Sequence, residues 1–135
     1  MAEVAHLTAE AVKLIHAEVL RQDGGLGGLR DEGLLQSAIS APQATWGGEP
    51  LFKDAVDVSA AYLFYICRNH PFNDGNKRAA LATCLIVLEK NGLLPDDGLP
   101  GNNIDAWEHL TLDVASGKID RDETARRLRE LLMNR

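Results

Sequence analysis

Residues 58–90 read VSAAYLFYICRNHPFNDGNKRAALATCLIVLEK. The start of this stretch belongs to a run from Val56 to Asn69 that is apolar nearly all round, the mark of a helix buried in the middle of a domain. A second apolar helical run, Lys77 to Lys90, closes it. His70-Pro71 ends the first helix, because proline disfavours the helical conformation in the residue before it, and a short loop leads on to Asn76. Two buried helices in direct succession set the class as all-α.

The flanking sequence extends the same pattern. From Thr8 to Gln22 the residues Val12, Ile15, Val19 and Leu20 recur at helical spacing, with Thr8 as cap and Asp23-Gly24-Gly25 as stop. A shorter helix is expected from about Asp31 to Ala41, with Leu34, Leu35, Ala38 and Ile39 inward and Pro42 just beyond. Pro42 to Pro50, with Gly47 and Gly48, reads as a loop. Asn91-Gly92 supplies a left-handed cap after Lys90, and Pro95, Gly98, Pro100 and Gly101 make the next connection irregular. A fifth helix runs from about Ile104 to Ser116 and ends at Gly117. Asp120 and Glu123 form a capping box for a last helix reaching about Met133. No alternating strand pattern of useful length appears, and no repeat or low-complexity tract. The expectation is a compact helical bundle of about six helices, with residues 1–135 forming a single domain.

With 135 residues and 45% hydrophobic content, the chain is long enough for one core and too short for two ordinary domains. Nothing approaches the roughly 18 consecutive apolar residues of a membrane span, and Met1 to His6 carries no signal-like run. The sequence is therefore read as cytoplasmic. Cys67 and Cys84 lie inside apolar helical patterns with no CxxC pair, which speaks against a disulfide or a zinc site. A net charge of −6 argues against nucleic-acid binding as the main work, since that affinity needs many cationic contacts to phosphates. Any anion site must be local.

The loop between the buried helices has that local character. His70-Pro71-Phe72-Asn73-Asp74-Gly75-Asn76-Lys77-Arg78 packs a base, a carboxylate, two amides, two cations and a glycine into a connector. The first-turn N–H groups of a helix are unpaired and sit at the positive end of its dipole, so Gly75 to Arg78 offers an anion nest, with Gly75 allowing close approach. Arg78 can fork onto phosphate oxygens while Lys77 acts as a mobile point charge. Asp74 is placed to hold Mg²⁺, which takes one or two carboxylates together with waters and phosphate oxygens. His70 is the natural general base for attack by a hydroxyl on phosphorus, histidine being the side chain that ordinarily titrates closest to neutrality.

The segment HPFNDGNKR closely resembles the active-site motif of the Fic/Doc family, most closely its Doc (death-on-curing) toxin branch. The resemblance extends through Gly24-Gly25-Leu26, Leu29 to Pro42, the central helices and Val114-Ala115-Ser116-Gly117. In the wider Fic branch the motif is HPFxxGNGRxxR, and those proteins transfer AMP from ATP to a target hydroxyl. Here Lys77 stands in place of the second glycine and Leu81 in place of the second arginine, and both departures match the Doc pattern. The resemblance implies a kinase toxin that uses ATP and Mg²⁺ to place the γ-phosphoryl group on a threonine of elongation factor Tu, halting translation. Carried over by position, His70 is the base and Asp74 the metal ligand. Asn76, Lys77 and Arg78 with the Gly75 backbone form the phosphate grip, Asn73 is counted with them, and Phe72 is the apolar anchor. Self-silencing Fic proteins carry a helix of the form [S/T]xxxE[G/N], which this sequence lacks. The implied inhibitor is a separate Phd-like antitoxin whose tail folds as a helix on this protein in a bacterial cytoplasm.

Two other functions stay open at this level: an AMP transferase with the same base and metal ligand, and an inactive nucleotide-binding or regulatory module. Several features carry no site in this reading. Gly24-Gly25-Leu26-Gly27-Gly28 follows a helix and lacks the lysine-Ser/Thr pair of a phosphate loop, so it reads as a flexible connector. His6, His16 and His109 have no ligand-spaced partners, and Trp46 and Trp107 read as packing or rim residues. Arg121, Arg126, Arg127 and Arg129 make a solvated face on the last helix. By the resemblance, Pro42 to Asp54 lies where the family has its target-docking flap; read from its residues alone, it is an ordinary loop with buried hydrophobes at Leu51 and Phe52.

Overall fold

The computed structural model describes residues 3–94 and 104–133. Among them six helices carry the architecture: α1 Ala9–Asp23, α2 Glu32–Ser40, α3 Ala55–Asn69, α4 Asn76–Lys90, α5 Ile104–Ala115 and α6 Arg121–Met133. The expected helices form with ends within a residue or two of the sequence reading. The irregular connection expected around Pro95 to Gly101 lies outside the described residues. No helix among the described residues is long and apolar enough to cross a membrane.

α3 is the hub, packing against α2, α4, α5 and α6. Val58, Ala60, Ala61, Tyr62, Leu63 and Ile66 have no exposed surface, and the two alanines let neighbouring helices approach closely. α4 brings Ala79, Ala80, Cys84, Val87 and Leu88 to the same core, which Phe72, Trp107, Leu110, Val114 and Leu128 complete. Both cysteines are free and buried. Tyr62 gives the centre a polar handle: its hydroxyl accepts from the Leu7 N–H at 3.2 Å and lies 3.0 Å from His6 Nδ1, which pins the segment before α1.

Side-chain caps define the helix starts, each side-chain oxygen accepting an N–H three residues on. Thr8 caps α1 through the Ala11 N–H, Asp31 caps α2 through Leu34, Asp54 caps α3 through Asp57, and Asp120 caps α6 through Glu123. The return half of the capping box expected at α6 does not form, because the Glu123 carboxylate pairs with Arg126 instead. The left-handed cap after α4 does form: Gly92 has φ +79° and the Leu93 N–H reaches Leu88 O at 2.8 Å.

One connection is more ordered than the sequence suggested. Residues 42–50, read as a loop, include the end of a 3₁₀ turn, Ala41–Gln43, and an antiparallel pair, β1 Thr45–Trp46 with β2 Glu49–Pro50. Gly47 and Gly48 both adopt positive φ, which is what a two-residue hairpin turn requires. Trp46 is 83% exposed on this hairpin, whereas Trp107 is wholly buried. The arginines of α6 are ion-paired within the chain rather than simply solvated. Arg127 meets Asp113 at 2.7 Å, and Arg129 joins α6 to the start of α3 through Asp54 and Asp57, each at 2.8 Å.

The hub role of α3 sets a stability prediction. Leu63→Ala is expected to cost about 2 to 5 kcal/mol by cavity formation. Leu112→Ala, at a half-exposed site on α5, should change stability by less than about 0.5 kcal/mol. Denaturant unfolding of the two variants measures both.

Candidate functional site

α3 delivers His70 to the surface. The His70 N–H still bonds Ile66 O at 3.1 Å, but its backbone turns into the left-handed region at φ +52°, ψ +55°. It is the one non-glycine residue with positive φ among the described residues. The next residues run back toward the core, where Phe72 is 2% exposed. Its ring stacks on His16 of α1 at 3.8 Å between centroids, with the planes 5° apart. Asn76, at the start of α4, ties the loop from below: its Oδ1 accepts the Phe72 N–H at 2.9 Å and its Nδ2 donates to Phe72 O at 3.0 Å. Both ends of the buried Asn76 amide are engaged by that backbone, while its own N–H opens toward the cleft.

α4 opens as a bare helix N-terminus. Gly75 precedes it at φ +75° with no side-chain cap, and the first helical bond is Ala79 N–H to Gly75 O at 2.9 Å. The N–H groups of Asn76, Lys77 and Arg78 are left without partners among the described residues, at the positive end of the dipole. A cleft of about 510 Å³ lies over them, lined by His70, Asn73, Asp74, Gly75, Asn76, Lys77 and Arg78, with Cys67 and Ala115 at its wall. Except for the buried Phe72, every residue singled out in the sequence thus borders one cleft. A separate hollow beside the β1–β2 hairpin, about 410 Å³, is lined by none of them.

The cleft's electrostatics follow from its backbone. Asp74 accepts the Gly75 N–H on one carboxylate oxygen at 2.8 Å and the Leu26 N–H on the other at 3.1 Å. Those two bonds, the Leu26 one first, hold its carboxyl below the usual range, with Arg78 adding to the effect. Lys77 is exposed, while Arg78 Nη1 leans on Gly24 O at 3.3 Å and on Asp23 at 3.6 Å. Burial pushes the Cys67 thiol up to about 12, so it stays protonated and is no nucleophile at neutral pH.

Among the described residues, Asp74 is the only carboxylate lining the cleft, and no group of three metal-ligating side chains occurs. Such a donor set does not suit a cation needing a full protein cage. It does fit Mg²⁺, which binds through one or two carboxylates and completes its shell with waters and substrate phosphates.

Two parts of the site were passed over in the sequence. The glycine-rich segment 24–28, read as a flexible connector, is docked along the loop. The Asn73 N–H donates to Gly28 O at 3.1 Å, Asn73 Nδ2 to Gly27 O at 3.3 Å, and Leu29 pairs with Phe72 in an isolated antiparallel bridge. Gly25, at φ +127°, is required by space as well as conformation, because a Cβ there would stand 2.8 Å from Asp74 Oδ2. His16, set aside for lack of a partner, donates from Nε2 to Asp74 O at 2.7 Å. Its partner lies 58 residues away, so no local spacing could have disclosed it. The glycines did carry a signal, since a run of them beside a helix end marks close backbone approach.

A protein-family model described as the Fic/DOC family matches residues 6–88. Protein kinase doc of Escherichia phage P1 is 34% identical over 126 residues, which covers 93% of this chain and 94% of that protein. Toxin Doc of Mycolicibacterium smegmatis is 39% identical over 106 residues, 78% of each.

Gly25→Ala is expected to cost about 1 to 3 kcal/mol through the disallowed backbone and the crowding of Asp74, seen as a lower thermal midpoint and faster amide exchange at Leu26. Asp74 sets an acid limb. Because its folded-state value is depressed, its contribution to stability is complete above its unfolded value, about 3.9, and is lost as pH falls through the folded value. Asp74→Asn should flatten stability against pH below about pH 4 in denaturant titrations.

Proposed function

The chain belongs to the Fic/DOC family, and from that premise we propose that it is the toxin of a toxin–antitoxin pair, a transferase that moves the γ-phosphoryl group of ATP to a threonine hydroxyl of a protein target. The observation that carries this reading is the meeting, in one cleft, of His70 with the unpaired N–H groups and the two cations at the start of α4. The names of the two relatives, a protein kinase and a toxin, support the same activity.

In this reading the polyphosphate of ATP lies across the Asn76, Lys77 and Arg78 N–H groups. Arg78 makes paired contacts to its oxygens, Lys77 neutralises charge from the exposed side, and Asn73 at the rim bonds to the nucleotide. The hydroxyl oxygen of the target bonds to the γ-phosphorus as the bond from that phosphorus to the β–γ bridging oxygen breaks. ADP leaves with the electron pair, and the hydroxyl proton passes to the His70 imidazole. Asp74 would hold Mg²⁺, which when bound neutralises phosphate charge. Positioning and electrostatics do most of the work in such a transfer, which suits a site assembled from backbone dipoles on rigid helices.

Lys77 supports γ-phosphoryl over AMP transfer, since the AMP-transferring branch has glycine there and a lysine adds a cation beside the nest. The family resemblance supplies elongation factor Tu as the target, a Phd-like antitoxin as partner and the bacterial cytoplasm as the setting, with residues 1–135 acting as one domain. The test is transfer of label from γ-labelled ATP, with Mg²⁺, to protein in a bacterial extract. His70→Ala should lower transfer by about a hundred-fold or more with ATP affinity, measured by calorimetry, changed by less than about threefold. Undiminished transfer in His70→Ala would remove the base from the mechanism.

A further inference from the structure

Outside the cleft, one side chain holds the backbone on which His70 stands. Arg30, at the entry to α2, sends Nε to His70 O at 2.7 Å and Nη2 to Asn69 O at 2.9 Å. Its own N–H donates to the next carbonyl, Pro71 O, at 2.7 Å, and the Asp31 N–H joins there at 3.1 Å. Three consecutive carbonyls, at residues 69, 70 and 71, are therefore all gripped by Arg30. Asn69 Nδ2 returns the contact to Leu34 O at 3.0 Å, so the start of α2 and the end of α3 are laced together.

These bonds fall where the backbone is least willing to stay. His70 has a left-handed conformation that a side chain with a Cβ rarely adopts, and such a residue persists only when its surroundings over-determine it. The residue before a proline is ordinarily pushed to extended geometry, so the sequence itself favours a different backbone at this position. The last carbonyls of α3 also lack helical partners and form the negative end of its dipole, which a guanidinium both satisfies and neutralises. A planar fork can span two successive carbonyl oxygens; an ammonium offers one point of contact.

We infer that Arg30 is a positioning residue for His70, holding its backbone in the left-handed conformation and so fixing where its imidazole stands over the cleft. The inference rests on the reading of His70 as the base, but it is decided by a conformational readout that requires no target. Full-length ¹³C,¹⁵N-labelled protein gives the His70 Cα and Cβ shifts and the amide coupling, which distinguish left-handed from extended backbone. Arg30→Ala should move these toward extended values. It should also lower kcat for transfer from γ-labelled ATP by about ten- to a hundred-fold, the scale of a small misplacement of a reacting group, with KM for ATP changed by less than about threefold. Arg30→Lys should recover part of both, having one donor group where two carbonyls wait.

An Arg30→Ala protein whose His70 signals stay at left-handed values overturns the inference, whatever its activity or thermal midpoint. If Arg30→Ala does not fold, Arg30→Lys and Arg30→Gln decide by the same signals. Full activity in His70→Ala would end the base reading while leaving the effect of Arg30 on the His70 backbone still measured.

Discussion

The chain between His70 and Gly75 leaves one buried helix and enters another, so its backbone polar groups must find partners without covering the first turn of α4. An unpaired buried N–H or C=O costs about 1 to 3 kcal/mol, enough that a loop leaving several unpaired would not keep one shape. Here the partners come from elsewhere in the chain. Arg30 and Asp31 take the Pro71 carbonyl, the Asn76 amide takes both backbone groups of Phe72, and Gly28 takes the Asn73 N–H. His16 takes the Asp74 carbonyl, and the Asp74 carboxylate takes the Gly75 N–H. With most of the loop's backbone held from behind and below, the N–H groups of residues 76–78 remain for a ligand.

That division explains why the core and the cleft cannot be separated. Phe72 is at once a core residue and the floor under the loop, and His16, buried in α1, links the same ring to the residue that carries the cleft's carboxylate. The buried helices supply rigidity, the glycine-rich segment supplies backbone donors and acceptors, and the left-handed turn at His70 carries a conformational cost that the packing around it offsets. The result suits a reaction whose catalysis is mostly the placement of dipoles and charges in advance.

Much of the fold could be read in the chain because its helices are long, periodic and punctuated by strong caps at Thr8, Asp31, Asp120 and Gly92. The apolar stretch from Val56 to Asn69 marked the hub without any tertiary knowledge, and the cluster from His70 to Arg78 marked the cleft by its density of polar chemistry. What escaped were features defined by contact across the chain. His16 and Arg30 are unremarkable beside their sequence neighbours, and their partners lie 58 and about 40 residues away. The inward turn of Asn76 depends on Phe72 being buried, which spacing alone does not state. The small hairpin at Gly47-Gly48 was legible in principle but too short for any alternating pattern to announce it.

The reaction is defined most directly by what is transferred and to what. Peptide mass spectrometry of purified elongation factor Tu, incubated with this protein, ATP and Mg²⁺, measures that in one experiment. The expected result is a phosphoryl-sized addition on a threonine. An AMP-sized addition would contradict it, showing that Lys77 and the bare α4 terminus hold the nucleotide by its α-phosphate instead.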